Sequence, residues 1–215
     1  MDAETLIATR RALHGVAELL LAGPQYRASG TIRLRVEPGG FGTVADPPVL
    51  VDGDHLVRGG LRLALAGATY ADIGARAGLD AGAPVGLYHD GSGAAPDDPV
   101  HLDPEAAAYL ASCFAAGDTA LRELDPAQTP VLWPEHFDLG IVLDSVNFGV
   151  SAGDSFIAEP YAYVGPHDYD ASLPWYQPPF WNAPFGAAVP VRELPGAVLG
   201  RFFAHGRTAI AWRAS

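Results

Sequence analysis

The chain has 215 residues, 25 acidic against 13 basic side chains and a formal net charge of −12 at pH 7, with 49% hydrophobic and 18% charged residues. That balance belongs to a folded globule rather than a disordered chain. Every basic residue is Arg, and only the pairs Arg10–Arg11 and Arg33/Arg35 cluster, so an acidic surface argues against nucleic-acid binding and against anionic membranes. One cysteine, Cys113, cannot form an internal disulfide, and no apolar run reaches the roughly 18 residues of a membrane span; the expected location is the cytoplasm.

Residues 3–22 predict a helix, with Leu6, Leu13, Val16, Ala17 and Leu20 at helical spacing and Gly23-Pro24 as the stop. Residues 31–36 alternate Ile32, Leu34 and Val36 with polar neighbours, the pattern of a half-buried strand, which PGGFGT (38–43) then breaks. Short strands follow at 49–52, 55–58 and 61–65, the first two flanking the turn Gly53-Asp54. A helix is expected over 69–79, capped by Thr69. Residues 90–100, DGSGAAPDDPV, read as a flexible loop or linker. Asp103 as N-cap and Pro104 at the first position open the clearest helix, whose inner face carries Leu110, Cys113, Phe114, Gly117, Leu121 and Leu124 up to Asp125-Pro126. Strands are expected near 136–146 and 155–164, then a Pro-rich aromatic segment (166–190), a helix over 192–206 and a closing strand over 209–213. No internal repeat is visible.

Residues 133–186 concentrate the chemistry, with three of the four Trp residues and a set of alternating carboxylates and aromatics. Successive strand side chains point to opposite faces. If the loop NFGVSAGD (147–154) joins the two strands as a hairpin, paired numbers sum to about 301, and Asp138 faces Tyr163 while Gly140 faces Tyr161. One face is then apolar (Phe137, Leu139, Ile141, Leu143, Ala158, Ala162, Val164). The other carries His136, Asp138, Asp144, Glu159, Tyr161 and Tyr163. A slip of two residues preserves these faces and a slip of one exchanges them.

The polar face is either a solvated sheet surface, a partner surface, or a ligand pocket closed by Trp175, Tyr176, Phe180, Trp181, Asn182 and Phe185. In the pocket reading His136, oriented by Asp138, is the base and Glu159 the acid, while Asp144, Tyr161, Tyr163, Trp181 and Asn182 bind the ligand. No metal site is assigned, although His136, Asp138 and Glu159 could form one. Asp144, Asn147 and Asp154 could hold calcium, but turn hydrogen bonds account for them more simply. PGGFGT lacks the spacing of a phosphate loop. Cys113 reads as a buried inert thiol, and His14 as a structural or exposed His.

The segments LWPEHFD, NFGVSAGD, EPYAYVGP and FWNAPFGA, together with YRASGTIRLRVEPGGFGT (26–43), resemble a family of uncharacterised proteins of high-GC Gram-positive bacteria. The resemblance implies a single-domain cytoplasmic bacterial protein and transfers no activity. The expected fold is α+β: a single mostly antiparallel sheet of six to eight strands, with about three helices on one face or at its ends, forming one domain over 1–215. The expected function is small-molecule binding or cofactor-independent acid–base catalysis (hydrolysis or isomerisation) in a pocket between the 136–164 hairpin and the 175–186 segment. The cofactor is left open, and a homo-oligomer is possible. The alternative is a non-catalytic interaction module using Trp175, Tyr176, Trp181 and Phe185 as an exposed patch.

Overall fold

The computed structural model describes residues 1–173 and 176–211. Asp2 caps the first helix, accepting from the Thr5 amide at 2.9 Å, and α1 spans Ala3–Gly15. The helix does not stop at Gly23-Pro24. It widens into a π-helical stretch, Val16–Ala22, in which the Gly23 amide bonds the Glu18 carbonyl five residues back, and continues as α2, Gly23–Ser29. In a regular helix the Pro24 ring would clash with the carbonyl four residues earlier; the wider register carries the chain past it. Gly30, at φ 76°, ends the run.

The sheet forms in two passes. β1 (Leu34–Glu37), β2 (Gly40–Thr43), β3 (Leu50–Asp52), β4 (His55–Arg58) and β5 (Leu61–Ala64) form one antiparallel meander. Two helices follow, α3 (Tyr70–Ala77) and α4 (Pro104–Leu124), capped as expected by Thr69 and Asp103. Then β6 (Val131–Trp133), β7 (Asp138–Leu143), β8 (Val146–Ser151), β9 (Tyr161–Pro166) and β10 (Ala187–Pro190) form a second meander. β1 pairs β6 at Leu34–Leu132, which joins the meanders into one ten-stranded antiparallel sheet. The α+β class and the single sheet are as expected, with more strands than six to eight. The helix α5, Ala197–Ala211, closes the described chain.

The helices cover one face of the sheet. α4 crosses its centre, α5 lies over β9, and the π-helical stretch packs on β1 and β2. The buried core lies between these layers, with Leu34, Phe41, Leu56, Leu132, Leu139, Phe148, Val150 and Val164 of the sheet facing Leu20, Leu21, Leu110, Phe114, Leu121 and Phe203 of the helices.

Several local expectations are corrected. GFGT is not a break but β2: a Cβ at Gly40 would overlap the Val51 carbonyl, so glycine admits a close strand there. Asn147–Ser151 is not a loop but most of β8, because the turn lies earlier, at Asp144-Ser145. Both residues have positive φ, 52° and 62°, as a two-residue hairpin turn of this hand requires. Ala209, Ile210 and Ala211 extend α5 instead of forming a strand; Trp212 and Arg213 lie outside the described residues. Residues 90–100 are fastened rather than loose: the Ala71 amide bonds the Pro96 carbonyl at 2.8 Å, and the Val100 amide bonds the Ala68 carbonyl at 2.9 Å.

Candidate functional site

The helix-free face of the second meander holds the site. Register places Trp133, Asp138, Ser151, Tyr161 and Pro190 in one row across the strands, and Val131, Gly140, Gly149, Tyr163 and Ala188 in the next row on the same face. Asp138 and Tyr163 are therefore separated by the whole of β8, about 10 Å between their strands. They meet because the two glycines leave a hollow for the ring. A Cβ at Gly149 would stand 2.5 Å from the Tyr163 Cζ, and one at Gly140 would stand 3.2 Å from its hydroxyl. The Tyr163 hydroxyl lies across this floor and donates to Asp138 Oδ2. Asp138 Oδ1 is sealed from solvent without a hydrogen-bond partner.

Where these strands end, α1 and residues 90–92 close a cleft of about 750 Å³, lined among others by Arg10, Arg11, His14, Asp90, His136, Asp138, Ser151, Asp154, Tyr161, Tyr163 and Phe185. A smaller hollow of about 230 Å³ beside Trp133 shares His136, Asp138 and Tyr163 with it. Each wall is tied down. Arg10 Nη1 donates to the Ala158 carbonyl at 3.0 Å, and the Tyr161 hydroxyl donates to Asp154 Oδ2 at 2.6 Å. Asp154 also caps its own turn through the Phe156 and Ile157 amides. On α1, His14 stacks on Phe137 with centroids 5.6 Å apart and planes 9° from parallel. Its Nε2 lies 2.7 Å from the Pro134 carbonyl, which can only accept, so that nitrogen carries the proton. Glu18, buried in the π-helical stretch, fastens residues 90–92: its Oε2 accepts from the Ser92 amide at 2.9 Å and from the Ser92 hydroxyl. A Cβ at Gly91 would overlap this carboxylate.

Burial dominates the electrostatics. It raises the Asp138 carboxyl, against the opposing pull of the Tyr163 hydrogen bond and of His136. It also raises the Tyr163 phenol well above its ordinary value, helped by the Asp138 charge. The Tyr161 phenol is raised by burial and by its bond to Asp154. Burial lowers His14 and, with Arg11 nearby, Arg10. The cleft therefore holds both a carboxyl that resists ionisation and an imidazole that resists protonation, groups suited to proton transfer.

Of the residues expected here, Asp138, Tyr161 and Tyr163 share the cleft. His136 lines it but is exposed and sits in the turn 134–137 rather than on a strand, and the hydrogen bond of Asp138 goes to Tyr163 instead. The expected His136–Asp138 pair is thus replaced by Tyr163–Asp138. Glu159 is turned away and ion-paired with Arg192 at 2.6 Å, so it is neither the acid nor a metal ligand with His136 and Asp138. Asp144 is exposed on the β7–β8 turn, at the far end of β7 from Asp138. The calcium arrangement fails with it, since Asn147 contacts His167 and Asp154 serves its turn and Tyr161. Among the described residues no group of three or more His, Cys, Asp or Glu side chains could hold a metal ion.

The aromatic segment supplies neither the expected lid nor an exposed patch. Trp181 is buried against Tyr176 and Phe180 in the main core, because Phe180 packs on Phe202 of α5. Asn182 pins β10 through both of its bonds to the Ala188 backbone. Of the residues expected to form the lid, Phe185, stacked on Tyr161, lines the cleft, joined by Pro166 and His167 from the start of the segment; Trp175 lies outside the described residues. Cys113 is buried, its thiol pushed up to about 11 by desolvation. His14, Arg10 and Arg11 were not expected at the site. Their only signal was a polar stripe on the first helix, and nothing in the sequence places that stripe against strands more than 120 residues away. No family model, curated protein or solved structure matches the chain.

Proposed function

We propose that this protein binds a small molecule in the cleft centred on Asp138, with Asp138 the group that exchanges a proton with any bound substrate. One observation carries the reading: Asp138 Oδ1 is buried without a partner on the wall of a 750 Å³ cleft. An unsatisfied buried acceptor costs roughly 1–3 kcal/mol, and a ligand donor that parts the side chains over Oδ1 removes that cost. The rigid hold of Tyr163 over Gly140 and Gly149 keeps the carboxyl in place before a ligand arrives. Cofactor-independent acid–base chemistry of hydrolase or isomerase type fits such a group, since a carboxyl raised by burial is an effective acid or base closer to neutral pH.

The test is a thermal-shift screen of metabolites at about 1 mM against wild type and Asp138→Asn; a micromolar ligand stabilises by roughly 4 kcal/mol at that concentration. At least one compound is expected to raise the melting temperature of the wild type and to lose most of that effect in Asp138→Asn. Equal shifts in both proteins, or none in a broad library, would overturn the reading.

A further inference from the structure

The donors and acceptors of the cleft are unequally engaged. The hydroxyl donors are taken internally: Tyr163 by Asp138 Oδ2, Tyr161 by Asp154 Oδ2, and Ser92 by Glu18. The Ser151 hydroxyl bonds the Tyr161 oxygen, and its own oxygen accepts from the Gly153 amide. Asp138 Oδ1 and His14 Nδ1, whose ring partner Nε2 is held by Pro134, remain as acceptors beside the Asp90 and Glu135 carboxylates, against the Asn147 amide and His136 as donors. The charges lean the same way. Asp90, Glu135, Asp138 and Asp154 line the cleft against Arg10 and Arg11. Arg10 is committed to the Ala158 carbonyl, and Arg11 is exposed at the rim. Asp90 and Glu135 have no ion-pair partner among the described residues. The rings of Tyr161, Tyr163 and Phe185 complete the wall, and aromatic faces attract cations.

We infer that the ligand of this cleft is a small organic cation, an amine whose ammonium donates to Asp138 Oδ1 and His14 Nδ1. This rests on the cleft reading above and narrows it to a chemical class. An ammonium brings three donors and no acceptor, the complement of a wall with acceptors to spare. A carboxylate would find two guanidiniums, one of them already bonded to the Ala158 carbonyl, against four carboxyl groups.

Three probes of matched length separate the classes: 1-aminopentane, 1-pentanol and pentanoate, titrated by ligand-observed NMR at about pH 8 into wild type, Asp138→Asn and His14→Gln. The amine is expected to bind at least tenfold more tightly than either other probe. That preference should fall at least tenfold in Asp138→Asn and severalfold in His14→Gln, with circular dichroism of the wild-type form. If Asp138→Asn does not fold, His14→Gln carries the decision. Pentanol or pentanoate binding as tightly as the amine overturns the cation assignment, as does an amine affinity unchanged in the folded variants or no amine binding at all. The cleft reading is judged separately. A neutral or anionic metabolite that shifts wild type but not Asp138→Asn leaves the cleft standing and the cation excluded.

Discussion

The two meanders have one layout and unequal chemistry. Each is led by a helix and runs through five antiparallel strands, and they meet at Leu34 and Leu132. Counting outward from that pair, the row Arg35–Gly42–Leu50–Val57–Arg62 of the first corresponds to Trp133–Asp138–Ser151–Tyr161–Pro190 of the second. The central three strands have three or four residues in the first meander and six in the second. The extra length supplies the Gly140–Gly149–Tyr163 row on which Asp138 depends. The helices differ in the same sense. α1 brings Arg10 and His14 to the second meander, whereas α4 brings Ala107 and Ala111 to the corresponding place on the first, where a void of about 10 Å³ remains. The first meander also carries a hollow, about 650 Å³ lined by Arg35, Leu50 and Val57, but the carboxylate at its rim, Asp46, is exposed; a cleft with a buried carboxyl forms where long strands and a polar helix coincide.

The largest expected effect comes from filling the glycine floor. Gly149→Ala drives the Tyr163 ring off its seat and crowds the Leu139 carbonyl. Urea unfolding should show a loss of about 3 kcal/mol, at the upper end for overpacking, together with loss of every ligand shift. A loss well under 1 kcal/mol would mean that the ring is not held there.

A second, pH-dependent effect sets Asp138 apart from its first-meander counterpart, Gly42. Burial holds the Asp138 carboxyl above its ordinary 3.8, so the folded chain binds that proton more tightly than the unfolded one and ionisation costs stability. Relative to wild type, Asp138→Asn should gain stability above the raised pKa, and the gain should fade as pH drops through it toward 3.8. Denaturant unfolding at several pH values reads this directly. A gain that grows on acidification would refute the assignment.

The smallest effect is expected at Glu159. Its pair with Arg192 is largely solvated, with 29% and 60% of the side chains exposed, and such pairs contribute about 0.5 kcal/mol or less. Glu159→Gln should leave both the melting temperature and every ligand shift almost unchanged. Loss of ligand response would return Glu159 to the site.

Alternation made the two faces of the second meander legible, because Leu139, Ile141, Ala162 and Val164 were bound to lie opposite Asp138, Tyr161 and Tyr163 whatever lay between. The pairing differs from the expected one. Asp144-Ser145 is a tight turn without the usual glycine, so β8 looked like a loop, and inserting it moved Tyr163 from direct neighbour to one strand beyond. The faces survived because the resulting offset was even: Asp138 shares its row with Tyr161, two residues from the expected partner. Glu159, Trp181 and Asn182 failed for another reason. Their chemistry suited a site, but Arg192, Phe180 with Phe202, and the Ala188 backbone claimed them for structure.

By itself the sequence determined the α+β class, the caps of α3 and α4, and the polar face that bears Asp138, since periodicity and capping act over a few residues. Only the tertiary structure decided that Tyr163 reaches Asp138 across two glycines, that His14 of the first helix faces the same cleft, and that the aromatic segment packs into the core. Each of these depends on which distant elements become neighbours, and no local spacing records that.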